Sequence, residues 1–266
     1  MVEKQLEVLE KWFIARKKTI TAFSGGIDSS LVLYLSKYFL GENAVACISN
    51  SASLKRNELE QAKAFCQKYE IKLEVIQTEE MNDQNYLQNP SNRCYYCKNH
   101  LYMSLHQLSI AYPEYILLNG VNADDLGDYR PGLQAASEHN IQSPLVDCNI
   151  DKDSVREIAK YLGLDHWNKP ASPCLSSRIP YGSEVNLEKL NRIEGAEAIL
   201  NKYGFEDVRV RHFDQEARIE VPSNEIDKLY NVLNPVSEEI QKLGFESCSI
   251  DNEGLISGKL NRVLNG

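Results

Sequence analysis

The 266-residue sequence has no long hydrophobic segment and no excess of basic residues. None of its apolar runs approaches the roughly 18 residues that a membrane-spanning helix needs, and the residues after Met1 are too polar for a secretory signal peptide. We therefore expect a cytoplasmic protein that does not bind membranes. Its 29 Lys and Arg stand against 38 Asp and Glu, for a formal charge of −9. This balance argues against a general nucleic-acid-binding protein, which presents a basic surface.

The sequence also lacks internal repeats, low-complexity tracts and a second Cys-x-x-Cys motif. Seven cysteines are an odd number for a disulfide framework, so metal binding or sulfur chemistry in a reducing compartment is the better expectation. Cys94 and Cys97 have a spacing used by zinc sites, iron–sulfur clusters and thiol exchange. Cys174 lies in an irregular stretch that could carry a third ligand. We expect these three to act together; the alternative is a lone Cys-x-x-Cys pair and an unrelated thiol.

Residues 24–30 form the clearest local signal, a turn between a predicted strand and a predicted helix. The β-branched run at 18–22 predicts the strand, and residues 31–38 predict the helix. Gly25 and Gly26 allow a tight turn close to a ligand, and the helix start offers free N–H groups and a positive dipole end to an anion. No lysine follows the glycines, so this is not a Walker loop. The side chains that could contact phosphates or hold Mg²⁺ are Ser24, Asp28, Ser29 and Ser30.

Strand and helix patterns alternate as far as residue 165, which predicts an α/β fold with a doubly wound, mainly parallel sheet. A proline-rich irregular stretch follows, and beyond it the pattern changes to a small α+β arrangement. We therefore predict a nucleotide-binding domain at 1–165, an active-site loop carrying Cys174 at 166–184 and a C-terminal α+β domain at 185–266. Local patterns predict a loop at 79–93, a helix at 98–111, a strand near 141–146 and a helix at 225–243 that breaks at Pro235.

Two acidic residues follow a predicted central strand, which should place them at the ligand-binding edge of the sheet. Asp124 and Asp125 could bind Mg²⁺ or the water around it, because hard oxygen ligands suit that ion. The alternative is a solvated acidic turn that caps the helix starting at Pro131.

Arginines mark a second candidate site. Arg209 and Arg211 point to one face of a predicted strand, because side chains alternate along a strand. Neighbouring guanidinium groups repel each other unless an anion joins them, which indicates a phosphate or carboxylate site; a solvated sheet face is the alternative. Arg178, four residues after Cys174, could orient an anionic substrate beside the thiol.

Three stretches together closely resemble the LarE family, the ATP-dependent sulfurtransferases that help build the nickel-pincer cofactor of lactate racemase. They are the PP-loop motif Ser-Gly-Gly-x-Asp-Ser starting at residue 24, the run Asn-Gly-Val-Asn-Ala-Asp-Asp that opens residues 119–132, and Pro-Cys-Leu-Ser-Ser-Arg at 173–178. The resemblance covers nearly the whole chain, including 257–261. It implies a nucleotide-like substrate, pyridinium-3,5-biscarboxylic acid mononucleotide. MgATP would adenylate a carboxylate of this substrate, and a sulfur nucleophile would then displace AMP.

The same resemblance implies roles for individual residues. Cys94, Cys97 and Cys174 would hold a 4Fe-4S cluster that carries the transferable sulfide. In sacrificial family members, which lack the Cys-x-x-Cys pair, the cysteine matching Cys174 instead gives up its own sulfur. The resemblance also implies a homo-oligomer, a trimer or hexamer, and a nickel-insertion partner protein. Taken together with the residues singled out above, the candidate sets are Cys174, Asp28 and Arg178 for catalysis; Ser24, Gly25, Gly26, Asp28, Ser29, Ser30, Asn122 and Asp124 for ATP; Asp28 and Asp125 for Mg²⁺; and Glu197, Arg209 and Arg211 for the substrate phosphate. On the sequence alone, a solvated helix residue is an equal alternative for Glu197.

Three other functions fit parts of the sequence. A PP-loop thiolase acting on tRNA would need an RNA-binding domain and a basic surface, which the charge of −9 opposes. An amide-forming synthetase would use ammonia and would not need the three cysteines. A non-catalytic iron–sulfur or nucleotide-binding sensor would bind ATP without releasing pyrophosphate.

Overall fold

In the computed structural model the chain folds into two compact units. The structure describes residues 1–127, 131–165, 167–168, 172–256 and 258–264. The first unit comprises Met1–Glu80 and Asn92–Ser172, and the second comprises Met81–Ser91 and Pro173–Gly266. The chain therefore contributes to the second unit twice. The boundary between the two units at 172–173 lies within the predicted loop at 166–184. The prediction placed residues 81–91 in the first domain, whereas they belong to the second unit.

Helices and strands alternate along the described chain. No helix within these residues combines the length and the apolar character needed to cross a bilayer. In chain order the elements are α1 (Val2–Arg16), β1 (Thr19–Ala22), α2 (Ile27–Leu40), β2 (Ala44–Ser49), α3 (Arg56–Lys68), β3 (Lys72–Ile76), α4 (Gln84–Leu87), α5 (Arg93–Ser109), β4 (Ile116–Leu118), α6 (Pro131–Glu138), α7 (Pro144–Asp147), α8 (Lys152–Tyr161), α9 (Leu187–Lys202), β5 (Arg209–Phe213), β6 (Glu216–Glu220), α10 (Ile226–Gln241) and β7 (Ser247–Ile250).

A four-stranded parallel sheet in the order β3-β2-β1-β4 forms the centre of the first unit. Side chains of β2 alternate between two helical layers: Val45 and Cys47 pack with α5 and α6, whereas Ala46 and Ile48 pack with α3. Both faces of the sheet are apolar because crossover helices cover both. The predicted α/β fold with a doubly wound, mainly parallel sheet is confirmed.

The second unit has a three-stranded sheet in the order β5-β6-β7, in which β5 and β6 are antiparallel and β6 and β7 are parallel. Val210 and Ile219, one from each strand of the antiparallel pair, pack with Leu200 of α9 and Leu229 of α10. Two helices on a small sheet agree with the α+β pattern predicted for the C-terminal region.

Asn89 explains why residues 81–91 belong to the second unit. Its side chain is fully buried, and Gly182 N donates to Asn89 O at 2.9 Å. Its amide Nδ2 donates to three carbonyl oxygens at 3.2, 2.7 and 2.9 Å, those of Ile179, Pro180 and Ser183. Residues 81–91 thus fasten the loop that follows Cys174.

Proline acts differently in its observed context from what two local predictions assume. The strand predicted near 141–146 is reduced to one parallel bridge, between Gln142 and Leu118 of β4. It extends no further because α7 begins at Pro144, where the fixed φ of proline is favourable and its missing N–H costs nothing. The break predicted at Pro235 does not occur, and α10 runs through it. Burial of Val236 and Ile240 in the core of the second unit offsets the roughly 3 kcal/mol that an interior proline costs a helix.

The loop predicted at 79–93 is partly helical. Asp83 caps α4 by accepting a hydrogen bond from Asn85 N at 2.9 Å, a local interaction that periodicity does not reveal. α5 begins at Arg93, before the predicted start at residue 98. As a result, the Cys-x-x-Cys pair lies on the helix and not in the loop before it.

His212 makes the stability of the second unit depend on pH. Its side chain is 1% exposed and packs on Phe245, and neither ring nitrogen has a hydrogen-bond partner among the described residues. Burial lowers the pKa of His212 to about 4, whereas the ring takes a proton near pH 6.5 in an unfolded chain. The unfolded state therefore binds more protons below that pH, and stability is lost as the pH falls from about 6.5 to 4.

We expect His212→Leu to remove this part of the pH dependence. Measured by urea unfolding, the wild-type free energy should fall by about 2 to 3 kcal/mol more than that of the variant between neutral pH and pH 4. The exposed His106, changed to Gln, is the control. A parallel decline of wild type and His212→Leu would contradict the assignment.

Candidate nucleotide and anion sites

The Ser24–Ser30 loop lies at the carboxyl end of β1, where the chain turns into α2. Gly25 has a φ of +75°, a left-handed conformation that favours glycine, and Gly26 is the N-cap of α2. Ser29 Oγ lies 3.0 Å from Ser24 Oγ and donates to Gly26 O at 3.1 Å. No side chain in the described part of the chain caps this helix, so its first N–H groups are available to an anion.

Asp28, in the first turn of α2, is held by the loop that follows β4. Asn122 is 2% exposed and donates from Nδ2 to Asp28 Oδ1 at 3.0 Å. Asn122 is itself fixed, because its Oδ1 accepts hydrogen bonds from Asp124 N and Asp125 N at 3.1 and 3.3 Å. The Asn122 amide therefore orients the Asp28 carboxylate, and its contact with ATP stays a prediction.

Asp124 and Asp125, the predicted ligands of ATP and Mg²⁺, accept hydrogen bonds from the backbone. Asp124 Oδ2 accepts from Lys152 N at 3.0 Å, and Asp125 Oδ2 accepts from Asn122 N at 3.2 Å. Asp125 is also 7% exposed. Both carboxylates thus shape the turn after β4. Their contacts with ATP and Mg²⁺ stay predictions, as does the Mg²⁺ contact of Asp28.

Gly120 lets this turn pack directly on the start of α2. A Cβ atom at residue 120 would lie 2.6 Å from Ser29 N and 2.7 Å from Ser29 Cα, which close-packed backbone cannot accommodate. The neighbouring Asn119 stabilises the turn, since its Oδ1 accepts from Val121 N at 3.1 Å and from Ser143 Oγ at 2.8 Å. Sequence analysis gave Gly120 no role of its own, and its position soon after a predicted strand was the available signal. That strand, β4, is the last in the order β3-β2-β1-β4 and not central as predicted.

A small pocket of mixed lining lies beside the Ser24–Ser30 loop. Apolar Phe23, Ile27, Ala62 and Phe65 line it together with polar Gln61 and Asp165, and the rings of Phe23 and Phe65 are 5.4 Å apart. Its volume of about 20 Å³ holds a water molecule but not a nucleotide base.

The cysteines differ sharply in exposure. Cys47 and Cys66 are buried, and burial raises the pKa of each thiol to about 12, so neither supplies a thiolate at neutral pH. Cys94 is exposed, Cys97 is half-buried, and both lie near the start of α5. Their spacing of three places them on one side of the helix, where both could approach one metal centre. Within the described residues, no group of three or more His, Cys, Asp or Glu side chains is arranged to hold a metal ion.

Cys174 lies in the second unit, in a loop that Arg178 fastens. Cys174 O accepts from Ser177 N at 3.0 Å and from the Arg178 guanidinium at 3.2 Å. Arg178 is 1% exposed, donates to Pro173 O and pairs with Glu197, with Nε 2.8 Å from Oε1. Arg178 positions the backbone that carries the half-buried Cys174 thiol, and Glu197 is its counter-ion. Its predicted contact with a substrate anion stays a prediction.

Arg209 and Arg211 are buried at the edge of this loop. Arg211 pairs with Glu220 at 2.8 Å and donates to Ser177 O at 2.6 Å, but its Nε has no partner among the described residues. Arg209 is 8% exposed. Among the described residues, its guanidinium donates one long hydrogen bond, of 3.5 Å, to Ile256 O. Burial lowers the pKa of Arg209, and the charges of Arg178 and Arg211 lower it further.

This cluster contains three buried guanidinium groups and two buried carboxylates, those of Glu197 and Glu220. Buried charge is normally paired, so the excess positive charge marks a site for an anion. Sequence analysis named Arg178, Glu197, Arg209 and Arg211, which the structure brings together. It missed Glu220, which the register of β5 and β6 places opposite Arg209. That register is known only from the structure.

Comparison with known proteins gives the chain clear relatives. The NAD synthase family matches residues 5–93, which include the Ser24–Ser30 loop. An uncharacterized protein of Synechocystis sp. is 46% identical over 99% of both chains. The pyridinium-3,5-bisthiocarboxylic acid mononucleotide synthase of Lactiplantibacillus plantarum is 34% identical over 93% of this chain and 90% of its own length. An uncharacterized protein of Methanocaldococcus jannaschii is 31% identical, over 89% of this chain and 90% of its own length.

We expect Gly120→Ala to weaken MgATP binding by about tenfold or more, because displacing the start of α2 misplaces the phosphate-binding groups. The matched control is Gly127→Ala in the same loop, where an added Cβ meets no atom within 4 Å. Isothermal titration calorimetry of both variants measures the effect. Equal affinity of Gly120→Ala and Gly127→Ala would show that the close approach to Ser29 does not matter.

Proposed function

The chain belongs to the LarE family, and from that membership and the geometry of the Ser24–Ser30 loop we propose that it makes pyridinium-3,5-bisthiocarboxylic acid mononucleotide. It would do so as an ATP-dependent sulfurtransferase acting on the corresponding biscarboxylic acid mononucleotide. The observation that carries the proposal is the uncapped start of α2, with Asp28 oriented by Asn122 at the ligand-binding edge of a parallel sheet. Such a site can hold the phosphates of ATP and their Mg²⁺.

The first half of the reaction activates the substrate. A carboxylate oxygen attacks the α-phosphorus of ATP, the α–β phosphoanhydride bond breaks, and pyrophosphate leaves with its negative charge. The N–H groups at the start of α2 and the hydroxyls of Ser24 and Ser30 stabilise this charge, and Asp28 holds Mg²⁺ against the phosphates.

The second half transfers sulfur. A sulfur nucleophile attacks the activated carbonyl carbon, AMP leaves, and a thiocarboxylate remains. The two accessible thiols of α5 fit a cluster better than the buried Cys47 and Cys66 do, since a thiolate is the form that binds iron. We propose that Cys94, Cys97 and Cys174 hold a 4Fe-4S cluster, whose chemistry would supply transferable sulfide without consuming Cys174. Arg178 keeps the Cys174 loop in place.

The buried arginine cluster supports a phosphate site for the mononucleotide. Arg209, which lacks an ion-pair partner among the described residues, and Arg211, with its free Nε, supply N–H donors to a phosphate. Glu197, expected to join that site, contributes by holding Arg178 and by accepting from Val210 N at 3.1 Å.

The direct test incubates protein purified without oxygen with MgATP and the biscarboxylic acid mononucleotide. Pyrophosphate release together with the mass of a thiocarboxylate product would support the proposal. Pyrophosphate with an amide product when ammonia is supplied would identify an amide-forming synthetase instead. ATP binding without pyrophosphate would identify a sensor.

We expect Cys97→Ser to lose iron, acid-labile sulfide and repeated turnover, because a cluster held by three thiolates does not survive the loss of one. Iron and sulfide assays and the visible spectrum measure the loss, and the buried Cys66→Ser is the control. A colourless wild-type protein without iron, which loses the Cys174 sulfur after one turnover, would overturn the cluster and favour the sacrificial route.

We expect Arg209→Met to raise the KM for the mononucleotide and at the same time to stabilise the fold by about 1 kcal/mol, because it removes an unpaired buried charge. Arg218→Met on the neighbouring strand is the control, since Arg218 is 38% exposed and paired with Glu216 at 3.1 Å. Steady-state kinetics and urea unfolding separate the two effects. An unchanged KM with reduced stability would make Arg209 a structural residue.

A further inference from the structure

The C-terminal segment lies against the arginine cluster. Leu255 N donates to Val221 O, directly after β6, at 2.8 Å, and a 3₁₀ helix, Lys259–Leu264, follows. Asn261 Oδ1 accepts from the hydroxyl of Tyr181 at 2.9 Å. The segment thus touches both the strand that carries Glu220 and the loop that follows Cys174.

Lys259 brings a further positive charge to this cluster. Its side chain is 11% exposed, and its Nζ lies 2.8 Å from Asp251 Oδ2, 3.5 Å from Glu253 Oε2 and 3.7 Å from Glu220 Oε1. It also donates to Gly254 O at 2.9 Å. The other oxygen of Glu220 pairs with Arg211. One buried carboxylate is therefore shared by two cations.

Because Glu220 has two cationic neighbours, Arg211 and Lys259, it neutralises less of the positive charge that attracts an anion to this cluster. If Arg211 were the sole partner of Glu220, the two charges would neutralise each other and Arg209 alone would attract the anion. Lys259 offsets the charge of Glu220 from the other side, together with those of Asp251 and Glu253. Without Lys259 these three carboxylates would lose a cation, and the arginines would attract an anion more weakly.

We propose that Lys259 is a positioning residue for the substrate phosphate, which keeps Glu220 from neutralising Arg211. The inference rests on the proposed anion site. It assigns Lys259 an effect on binding through Glu220, not a contact with the reacting atoms.

The test measures binding of nicotinic acid mononucleotide and of its riboside, which lacks the phosphate, with the ATP site saturated by a non-hydrolysable ATP analogue. The wild type should bind the mononucleotide more tightly than the riboside. Lys259→Met should reduce that preference by about tenfold, the scale for removing one cation near an anion in a partly screened site. Lys259→Arg should retain it, and in turnover Lys259→Met should raise KM while kcat is unchanged.

Lys228→Met is the matched control, since Lys228 is also in the second unit, is exposed and pairs with Glu225 at 3.8 Å, outside the Lys259 network. Thermal unfolding checks that each variant is folded, and Lys259→Gln replaces Lys259→Met if the latter is not. A full phosphate preference in the folded Lys259 variant, or none in the wild type, overturns the inference. A wild type that shows the preference but forms no thiocarboxylate overturns the proposed function alone.

Discussion

The contact between Gly120 and the start of α2 is the constraint on which the nucleotide site depends. Because no side chain fits between Gly120 and Ser29, the turn after β4 lies directly on the helix start, and Asn122 reaches Asp28. Loops from two adjacent parallel strands thereby become one site at the sheet edge where such folds bind ligands. Donors that are fixed before the ligand arrives stabilise its charge without the cost of reorganising.

The second unit differs from the first because part of its interior carries charged side chains. Arg178 and Glu197 form a buried pair that holds the Cys174 loop, while Arg209 remains without a counter-ion among the described residues. An unpaired buried charge reduces stability, and such sites are often functional. A phosphate would complete the cluster, which is consistent with a mononucleotide substrate.

Exposure sorts the thiols by the chemistry open to them. Cys47 and Cys66 pack in apolar clusters and keep their protons, whereas Cys94, Cys97 and Cys174 can reach solvent. Cys148 and Cys248 are half-buried as well, but burial raises the pKa of both thiols, that of Cys148 to about 11. The thiolate is the reactive form of cysteine, so both are poor candidates for sulfur chemistry. The joint role of Cys94, Cys97 and Cys174 in a cluster stays a prediction.

The sequence by itself determined the nucleotide loop, the doubly wound sheet and the set of arginines, because short-range chemistry encodes them: glycines at a turn, alternating apolar patterns and like charges on one strand. Only the tertiary structure decided what those side chains contact. It assigned Asn122 to Asp28, Asp124 and Asp125 to the backbone, and Arg178 to Glu197. It likewise carried α10 through Pro235. In each case the partner is distant in sequence or buried by packing, and spacing along a chain holds no information about which distant groups meet.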